Sequence, residues 1–321
     1  MDLSLAQEQQ MQSIATLTFA PSLDCATETD VLYPEGKLRC AAPQFEPGGG
    51  GINVARAIHM LGGKALAIYP AGGPTGAHLT HQLQQEGLNV DVVTTQDWTR
   101  QNLHVFTREQ KEQYRFVMPG ATLHDEEIHA LRQRVAALAA GSLLVISGSL
   151  PPGMDVADLV DLLVFARQNH LHCVVDSSGP ALEAAVREGG LLLIKPNRKE
   201  LAALAGTTLD SLEQVVAAAR DLIRREVSRY IVVSLGADGA LAVSREQQVL
   251  ATPPAVTALS TVGAGDSMVA ALTLKLAERA SLEEMLRWGV AAGTAATLRH
   301  GTQLCDSQAT ARLAAEVHIG R

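Results

Sequence analysis

The segment Ser260-Thr261-Val262-Gly263-Ala264-Gly265-Asp266-Ser267 holds the residues best placed by type and spacing to do chemistry, and a helical run, Met268–Ala280, follows it. Glycines at 263 and 265 can adopt backbone angles closed to other residues. Their N–H groups, with that of Ala264, are expected to point at the mouth of the next helix, where free amides and the positive end of the helix dipole attract anions. Asp266 in such a turn is expected to be stabilised as the anion and so to be available as a proton acceptor. Amides that hold developing charge on a phosphoryl group, next to a carboxylate that deprotonates the attacking hydroxyl, suit phosphoryl transfer to an alcohol. Taken alone, G-x-G-D also fits an ordinary turn with a helix cap.

A second glycine-rich stretch is Pro47-Gly48-Gly49-Gly50-Gly51-Ile52-Asn53-Val54-Ala55-Arg56. Four consecutive glycines are entropically costly, and either close approach of backbone to a ligand or a hinge would account for them. Asn53 is expected one residue into the following helix, where its amide can hydrogen-bond sugar hydroxyls; a linker feeding a helix is the plainer alternative. Neither stretch is G-x-x-x-x-G-K-[ST] or G-x-G-x-x-G, so P-loop and dinucleotide readings lose support. His78 and His81, and His124 and His129, match no metal-ligand spacing and read as surface histidines.

These motifs need elements to position them. Ala65–Tyr69, Leu143–Ser147, His172–Asp176, Leu191–Ile194 and Tyr230–Ser234 are apolar runs that read as strands buried on both faces. Helical spacing occupies Ile52–Leu61, Gly76–Glu86, Ala157–Gln168, Ala181–Glu188 and Leu212–Arg225 between them. The alternation predicts an α/β fold, a mainly parallel sheet sandwiched by helices, with ligands beyond the carboxyl ends of the strands. Those ends carry Asp176, Lys195-Pro196-Asn197 and Ser234-Leu235-Gly236. Glu28–Ala42 and Gln101–Met118 break the pattern with period-two segments, the second folding as a hairpin about Arg108–Gln113. They are expected to form a small separate sheet, a lid over about 28–47 and 99–120. Such a sheet is marginal alone, so it should pack on the core or on a second copy, which predicts a homodimer.

The 321 residues are 47% apolar and 19% charged, ample for a globular core; length alone allows two domains or one with an appendage, and a single domain over 1–321 carrying the lid is the reading adopted. The net charge of −8 argues against a general nucleic-acid binder while leaving room for a local phosphate pocket. Four cysteines without a C-x-x-C pair argue against a zinc or thioredoxin-like site and fit a reducing cytoplasm. Met1–Gln12 shows no signal-peptide pattern. The uncharged stretch Val135–Met154 is broken by glycines and prolines and reads as a helix end, a buried strand and a turn rather than a membrane span.

Gly48–Gly63 and Ser260–Ser267 resemble the two signature segments of the ribokinase-like sugar kinases, the PfkB group, and Pro196-Asn197-Arg198-Lys199-Glu200 resembles that family's N-x-x-E element. The resemblance runs from about Leu17 to Leu313. Pro21–Asp24, Tyr33–Arg39, Trp98–His104, Gln113–Gly120 and Ser147–Gly153 are similar to members that act on fructose 6-phosphate. The resemblance implies a three-layer α/β/α sandwich with a β-sheet lid, and transfer from MgATP to the 1-hydroxyl of D-fructose 6-phosphate. Tagatose 6-phosphate, fructose 1-phosphate, and a non-catalytic nucleotide or sugar-phosphate sensor remain the alternatives. It implies Asp266 as catalytic base and Gly263, Ala264 and Gly265 as anion hole. Asp24, Gly48, Gly49, Gly50, Gly51 and Asn53 would bind the sugar, Arg100 and Ser149 its 6-phosphate, with Lys37 and Arg39 adding charge from the lid. Lys195, Asn197, Ser234, Gly236, Gly239 and Ser260 would line the ATP site, with Asn197 and Glu200 reaching Mg²⁺ through water. Carbonyls around Ser260, Val262, Ala296, Arg299 and Gly301 would build a K⁺ site, where Arg299 and Gln303 depart from the family pattern.

Overall fold

The structure, a computed structural model, describes residues 11–299 and 301–320; Met1–Gln10, part of the segment read for a signal peptide, lie outside the described residues. In chain order the elements are β1 Ile14–Leu17, β2 Ser22–Thr29, β3 Gln44–Gly48, α1 Gly50–Met60, β4 Leu66–Ala71, α2 Gly73–Gln85, β5 Asn89–Thr94, β6 Arg100–Thr107 and β7 Glu112–Phe116. There follow α3 Asp125–Ala136, β8 Leu143–Ser147, α4 Val156–Gln168, β9 His172–Asp176, α5 Gly179–Glu188, β10 Leu191–Ile194, α6 Arg198–Ala205, α7 Leu212–Arg224 and β11 Ser228–Ser234. The chain closes with β12 Ala240–Val243, β13 Gln248–Thr252, α8 Ala264–Ala277, α9 Leu282–Thr297, α10 Ser307–Glu316 and β14 His318–Gly320.

The large sheet has the order β14-β13-β12-β11-β10-β9-β8-β1-β4-β5. Pairs from β11 through to β5 are parallel; β12, β13 and β14 add an antiparallel edge. Successive residues of one strand feed opposite layers, because side chains alternate across a sheet. Leu143 and Val145 of β8 pack with α1, α8 and α9, while Leu144 and Ile146 pack with α3, α4 and α5. Both faces are therefore covered, which explains why the strand reads as an unbroken apolar run. The same β8 sits inside the uncharged stretch Val135–Met154, flanked by the end of α3 and a turn. No described helix is long and apolar enough to cross a membrane.

The five expected buried strands of the large sheet are all present, with ends differing by a residue or two. The order in which successive strands are added reverses between β1 and β8, which run parallel, and such a switch point leaves a crevice beyond the strand ends. The start of α1 fills it. A Cβ on Gly51 would lie 2.5 Å from Thr18 Oγ1 and 2.7 Å from the Leu17 carbonyl, and one on Gly50 would strike Ser147 Oγ. Gly49, the N-cap, has φ +114°. Close backbone packing thus accounts for this glycine run at 49–51. It also moves the helix start: α1 begins at Gly50, so Asn53 is its fourth residue rather than its second.

The small sheet has the order β3-β2-β6-β7. The hairpin β6–β7 matches the expectation, with Leu103 opposite Phe116 and Val105 opposite Tyr114. The first half does not. Residues 30–43 are irregular, and the strands lie on either side, at Ser22–Thr29 and Gln44–Gly48. Hydrogen bonds from Thr27 and Thr29 hydroxyls to the Ala41 and Arg39 carbonyls hold that loop over one sheet face, so it needs no ladder of its own. Lys37 and Arg39 are exposed on this loop and not on an edge strand.

Candidate active site

Asp24, Glu46 and Asn102 are neighbours across three strands of the small sheet, since Asp24 pairs with Glu46 of β3 and with Asn102 of β6. Period two places Ser22, Arg100, His104 and Gly48 on the same polar face. Asn102 donates to Asp24 Oδ1 at 2.8 Å, fixing the carboxylate. Gly48 must be glycine because a Cβ there would lie 2.6 Å from Asp24 Oδ2. The Arg100 guanidinium donates to the Met118 carbonyl (2.9 Å) and the Ala20 carbonyl (3.0 Å), while its buried Nε has no partner. Burial lowers its pKa and Asp24 opposes that shift. Ser149 lies exposed just past β8, two residues after the Ser147 that a Cβ on Gly50 would strike.

Gly263 caps α8 with φ +73°, a left-handed conformation that favours glycine. The first intrahelical hydrogen bond runs from Ser267 N–H to the Gly263 carbonyl (2.8 Å), so the amides of Ala264, Gly265 and Asp266 remain free in the first turn. Asp266 is therefore the third residue of the helix, not part of the preceding turn, since α8 starts four residues before the expected Met268. Asn53 Nδ2 donates to its Oδ2 at 2.9 Å, linking the two glycine-rich segments across 213 residues.

The expectation that this turn holds Asp266 firmly as the anion is overturned. Its pKa is pushed up to about 7, by burial first and Asp176 second, with the Asn53 hydrogen bond and Lys195 pulling the other way. Burial and a like charge outweigh the Asn53 hydrogen bond and the Lys195 charge. Lys195 is buried and paired with Asp176 at 3.1 Å. Burial tends to lower its pKa, but Asp176, then Asp266 and Glu200, raise it, so the ammonium stays charged. A Cβ on Gly265 would lie 3.7 Å from Lys195 Nζ, which sets this cation beside the free amides. For Asp176 the sequence offers one signal, its place as the last residue of β9, at the carboxyl end of a buried strand. Asn53→Leu is expected to remove a hydrogen bond to the anion and raise the acid limb of the turnover–pH profile by roughly 1 unit. An unmoved limb would show that Asn53 does not act on Asp266.

On the other side of α8 lies a cavity of about 610 Å³. The β11–β12 turn supplies Ser234, Gly236 and Gly239; α8 supplies Ala264, Gly265 and Met268; α9 supplies Val290, Gly293 and Thr294. Lys195 reaches its edge at Gly265, Asn197 forms a β-bridge with Ser234, and Ser260 adjoins the lining Thr261. Asn197 caps α6: its side chain accepts from Glu200 N–H, and Glu200 Oε2 accepts from Asn197 N–H, both at 2.8 Å. The pair is a capping box, and one Glu200 oxygen stays free. Ser260 Oγ, in the segment before α8, donates to the Gly301 carbonyl in the loop after α9 (2.8 Å), and in that loop Arg299 N–H donates to the Ala296 carbonyl (3.1 Å) while the Arg299 guanidinium turns to Asp306 (2.9 Å). Val262 N–H donates to Ser260 Oγ. Among the described residues no group of three or more acidic, histidine or cysteine side chains forms a metal cluster.

A family model for pfkB family carbohydrate kinases matches residues 18–309. The ATP-dependent 6-phosphofructokinase isozyme 2 of Escherichia coli (strain K12) is 55% identical over 303 residues, 94% of this chain and 98% of that protein. The crystal structure of phosphofructokinase-2 from E. coli in complex with potassium matches with a TM-score of 0.93 at 55% identity, over 95% of this chain and 99% of that one. The same protein in complex with fructose-6-phosphate matches with a TM-score of 0.91 at 54% identity, over the same shares. The ribokinase-like α/β architecture expected from the motifs is thereby borne out, and the chain belongs to the pfkB family of carbohydrate kinases.

Proposed function

We propose that this chain transfers the γ-phosphoryl group of ATP to the 1-hydroxyl of D-fructose 6-phosphate, giving fructose 1,6-bisphosphate and ADP. One observation carries the reading: Asp266, beside free helix-terminal amides and a buried lysine, is held by Asn53 of the helix that follows β3, while Ala264 and Gly265 of its own helical turn line a nucleotide-sized cavity. The sugar lies against Asp24 and Asn53, with Gly48–Gly51 allowing close backbone approach. Arg100 and Ser149 hold its 6-phosphate, the guanidinium offering donors beyond the two given to carbonyls. With the small sheet seated over the sugar, water is excluded. Asp266 takes the 1-hydroxyl proton as the oxygen bonds to the γ-phosphorus, and the bond from that phosphorus to the β,γ-bridging oxygen breaks. Amides of Gly263, Ala264 and Gly265, together with Lys195, stabilise the charge on the moving group. A base poised near neutral pH suits this step better than a strongly acidic carboxyl.

Magnesium accompanies the nucleotide. Asn197 and Glu200 are bound to each other and are left to reach it through water, which fits an ion that keeps much of its hydration shell. Potassium fits the carbonyl loop at Ser260, Val262, Ala296, Arg299 and Gly301: the Gly301 and Ala296 carbonyls each keep a lone pair, and Asp306 draws the Arg299 charge aside. The working unit is a homodimer through the small sheet. Phe106, Phe116 and Met118 are exposed on and beside the β6–β7 hairpin, and Lys37 and Arg39 on their exposed loop are suited to reach a partner's site. Residues 1–321 act as one kinase domain with this sheet as its lid. The four cysteines are free, which suits the reducing, ATP-rich cytoplasm.

A coupled assay for ADP over fructose 6-phosphate, tagatose 6-phosphate and fructose 1-phosphate tests the reading. Fructose 6-phosphate is expected to give the highest kcat/KM. A preference for either other sugar would replace the substrate, and ATP binding without turnover on any of them would make the chain a sensor.

A further inference from the structure

Glu46 sits in an unfavourable place for a carboxylate. It is partly buried on β3, and burial together with Asp24 and Glu86 raises its pKa, with only Arg56 opposing. Arg56 is already committed: its guanidinium forks onto Glu86 at 2.8 and 2.9 Å and donates to the Pro47 carbonyl. The direct partner of Glu46 is instead the hydroxyl of Thr302, 256 residues away, which donates to its Oε2. A part-buried acid among like charges, with its nearest cation bound elsewhere, costs stability unless it is used.

The loop that carries Thr302 also braces the amides at the start of α8. Leu304 Cδ2 lies 2.7 Å from where a Cβ on Gly263 would stand, and the Thr302 and Gln303 carbonyls follow at 3.8 and 3.7 Å. Cys305 N–H donates to Ser267 Oγ at 3.2 Å inside the core, and Ser260 Oγ ties Gly301 to the segment leading into α8. Among the described residues, Thr302–Glu46 is the hydrogen bond that joins this loop to the small sheet. One loop thus touches the sheet over the sugar at one point and the anion-binding helix cap at three.

We propose that Glu46 and Thr302 are positioning residues, a latch through which the seated small sheet sets the geometry of the Gly263–Gly265 amides. Neither touches a reacting atom. The latch rests on the reading of those amides as the phosphoryl-binding group. It makes the amides fully aligned only while β3 is docked, so phosphoryl transfer to water is disfavoured when no sugar holds the sheet down.

Thr302→Val removes the hydroxyl at nearly constant volume, and Thr302→Ser keeps it. With fructose 6-phosphate and MgATP, Thr302→Val is expected to lower kcat about 10-fold, the weight of one hydrogen bond felt at the transition state, with both KM values changed less than about twofold. Thr302→Ser is expected to restore turnover. The double variant Glu46→Ala/Thr302→Val is expected to be no slower than the worse single one, as for two halves of one contact. Amide hydrogen exchange is expected to quicken at residues 263–266 and 301–305 in Thr302→Val and to stay unchanged in β8 and β9. An unaltered kcat in Thr302→Val, multiplicative losses in the double variant, or Thr302→Ser as slow as Thr302→Val would each overturn the latch. Absence of turnover in the unmutated protein would overturn the kinase reading instead, and the exchange comparison would still decide whether the loop and the sheet are coupled.

Discussion

Asp266→Asn is expected to cut turnover by ~10²–10⁴-fold while ATP and fructose 6-phosphate still bind, the usual weight of a lost general base. The amide keeps the shape of the carboxyl and its contact with Asn53 but cannot take a proton at neutral pH. In the unmutated protein the carboxyl ionises at about 7, so turnover should fall roughly tenfold per pH unit below that value. The same shift has a stability consequence with a fixed sign. The folded-state pKa lies above the unfolded one, so the unfolded chain releases this proton first as pH rises. Stability from this group is fully present below about pH 4, falls as pH climbs toward about 7, and stays at its low level above that. Asp266→Asn cannot ionise and escapes the loss. Its melting temperature should match the unmutated protein's near pH 4 and exceed it near pH 8. Near-normal turnover in the variant would remove Asp266 from the base's role. Equal melting temperatures at both pH values would show that its carboxyl is not strained in the fold.

What the sequence made legible follows from what each physical signal depends on. Strands such as Leu143–Ser147 and helices such as Leu212–Arg224 announce themselves because burial on one or two faces dictates their residue types. The loop at 30–43 reads as strand because alternation of polar and apolar residues also suits an extended chain held by threonine hydroxyls. The short edge strands β12 to β14 were missed; at four, five and three residues they offer too little pattern. At the site, the glycine runs and Asp266 stood out because helix-terminal anion binding requires a particular residue order. The Asp176–Lys195 pair, the Asn102–Asp24 contact and Thr302 against Glu46 did not. Each joins residues distant in sequence, and nothing local in either partner specifies the other. The sign of the Asp266 shift was missed for the same reason, since it comes from burial and from Asp176, 90 residues away in the chain.

Lys195→Met is expected to damage stability and turnover together, and the two losses can be separated. The Lys195–Asp176 pair is well buried, with side-chain exposures of 8% and 16%. Removing one partner of such a pair leaves an uncompensated charge and costs ~3–5 kcal/mol. Asp176 then faces Asp266 without the intervening ammonium, and two nearby carboxylates cannot both ionise freely. The Asp266 pKa, already at about 7, should climb further, emptying the base of its anionic form at neutral pH. Loss of the ammonium beside Gly265 also removes positive charge from the moving phosphoryl group, worth about 10²–10³-fold as for one preorganised donor. Lys195→Met/Asp176→Asn separates these effects. With no charge left unpaired, the double variant should recover most of the lost unfolding free energy, read from a urea midpoint, and its acid limb should move back toward lower pH. Its turnover above pH 8 should nevertheless stay depressed, because no cation has returned to the phosphoryl side. If the double variant recovered turnover along with stability, Lys195 would be a structural partner of Asp176 and nothing more. If Lys195→Met kept its full urea resistance, the pair would contribute nothing to the fold.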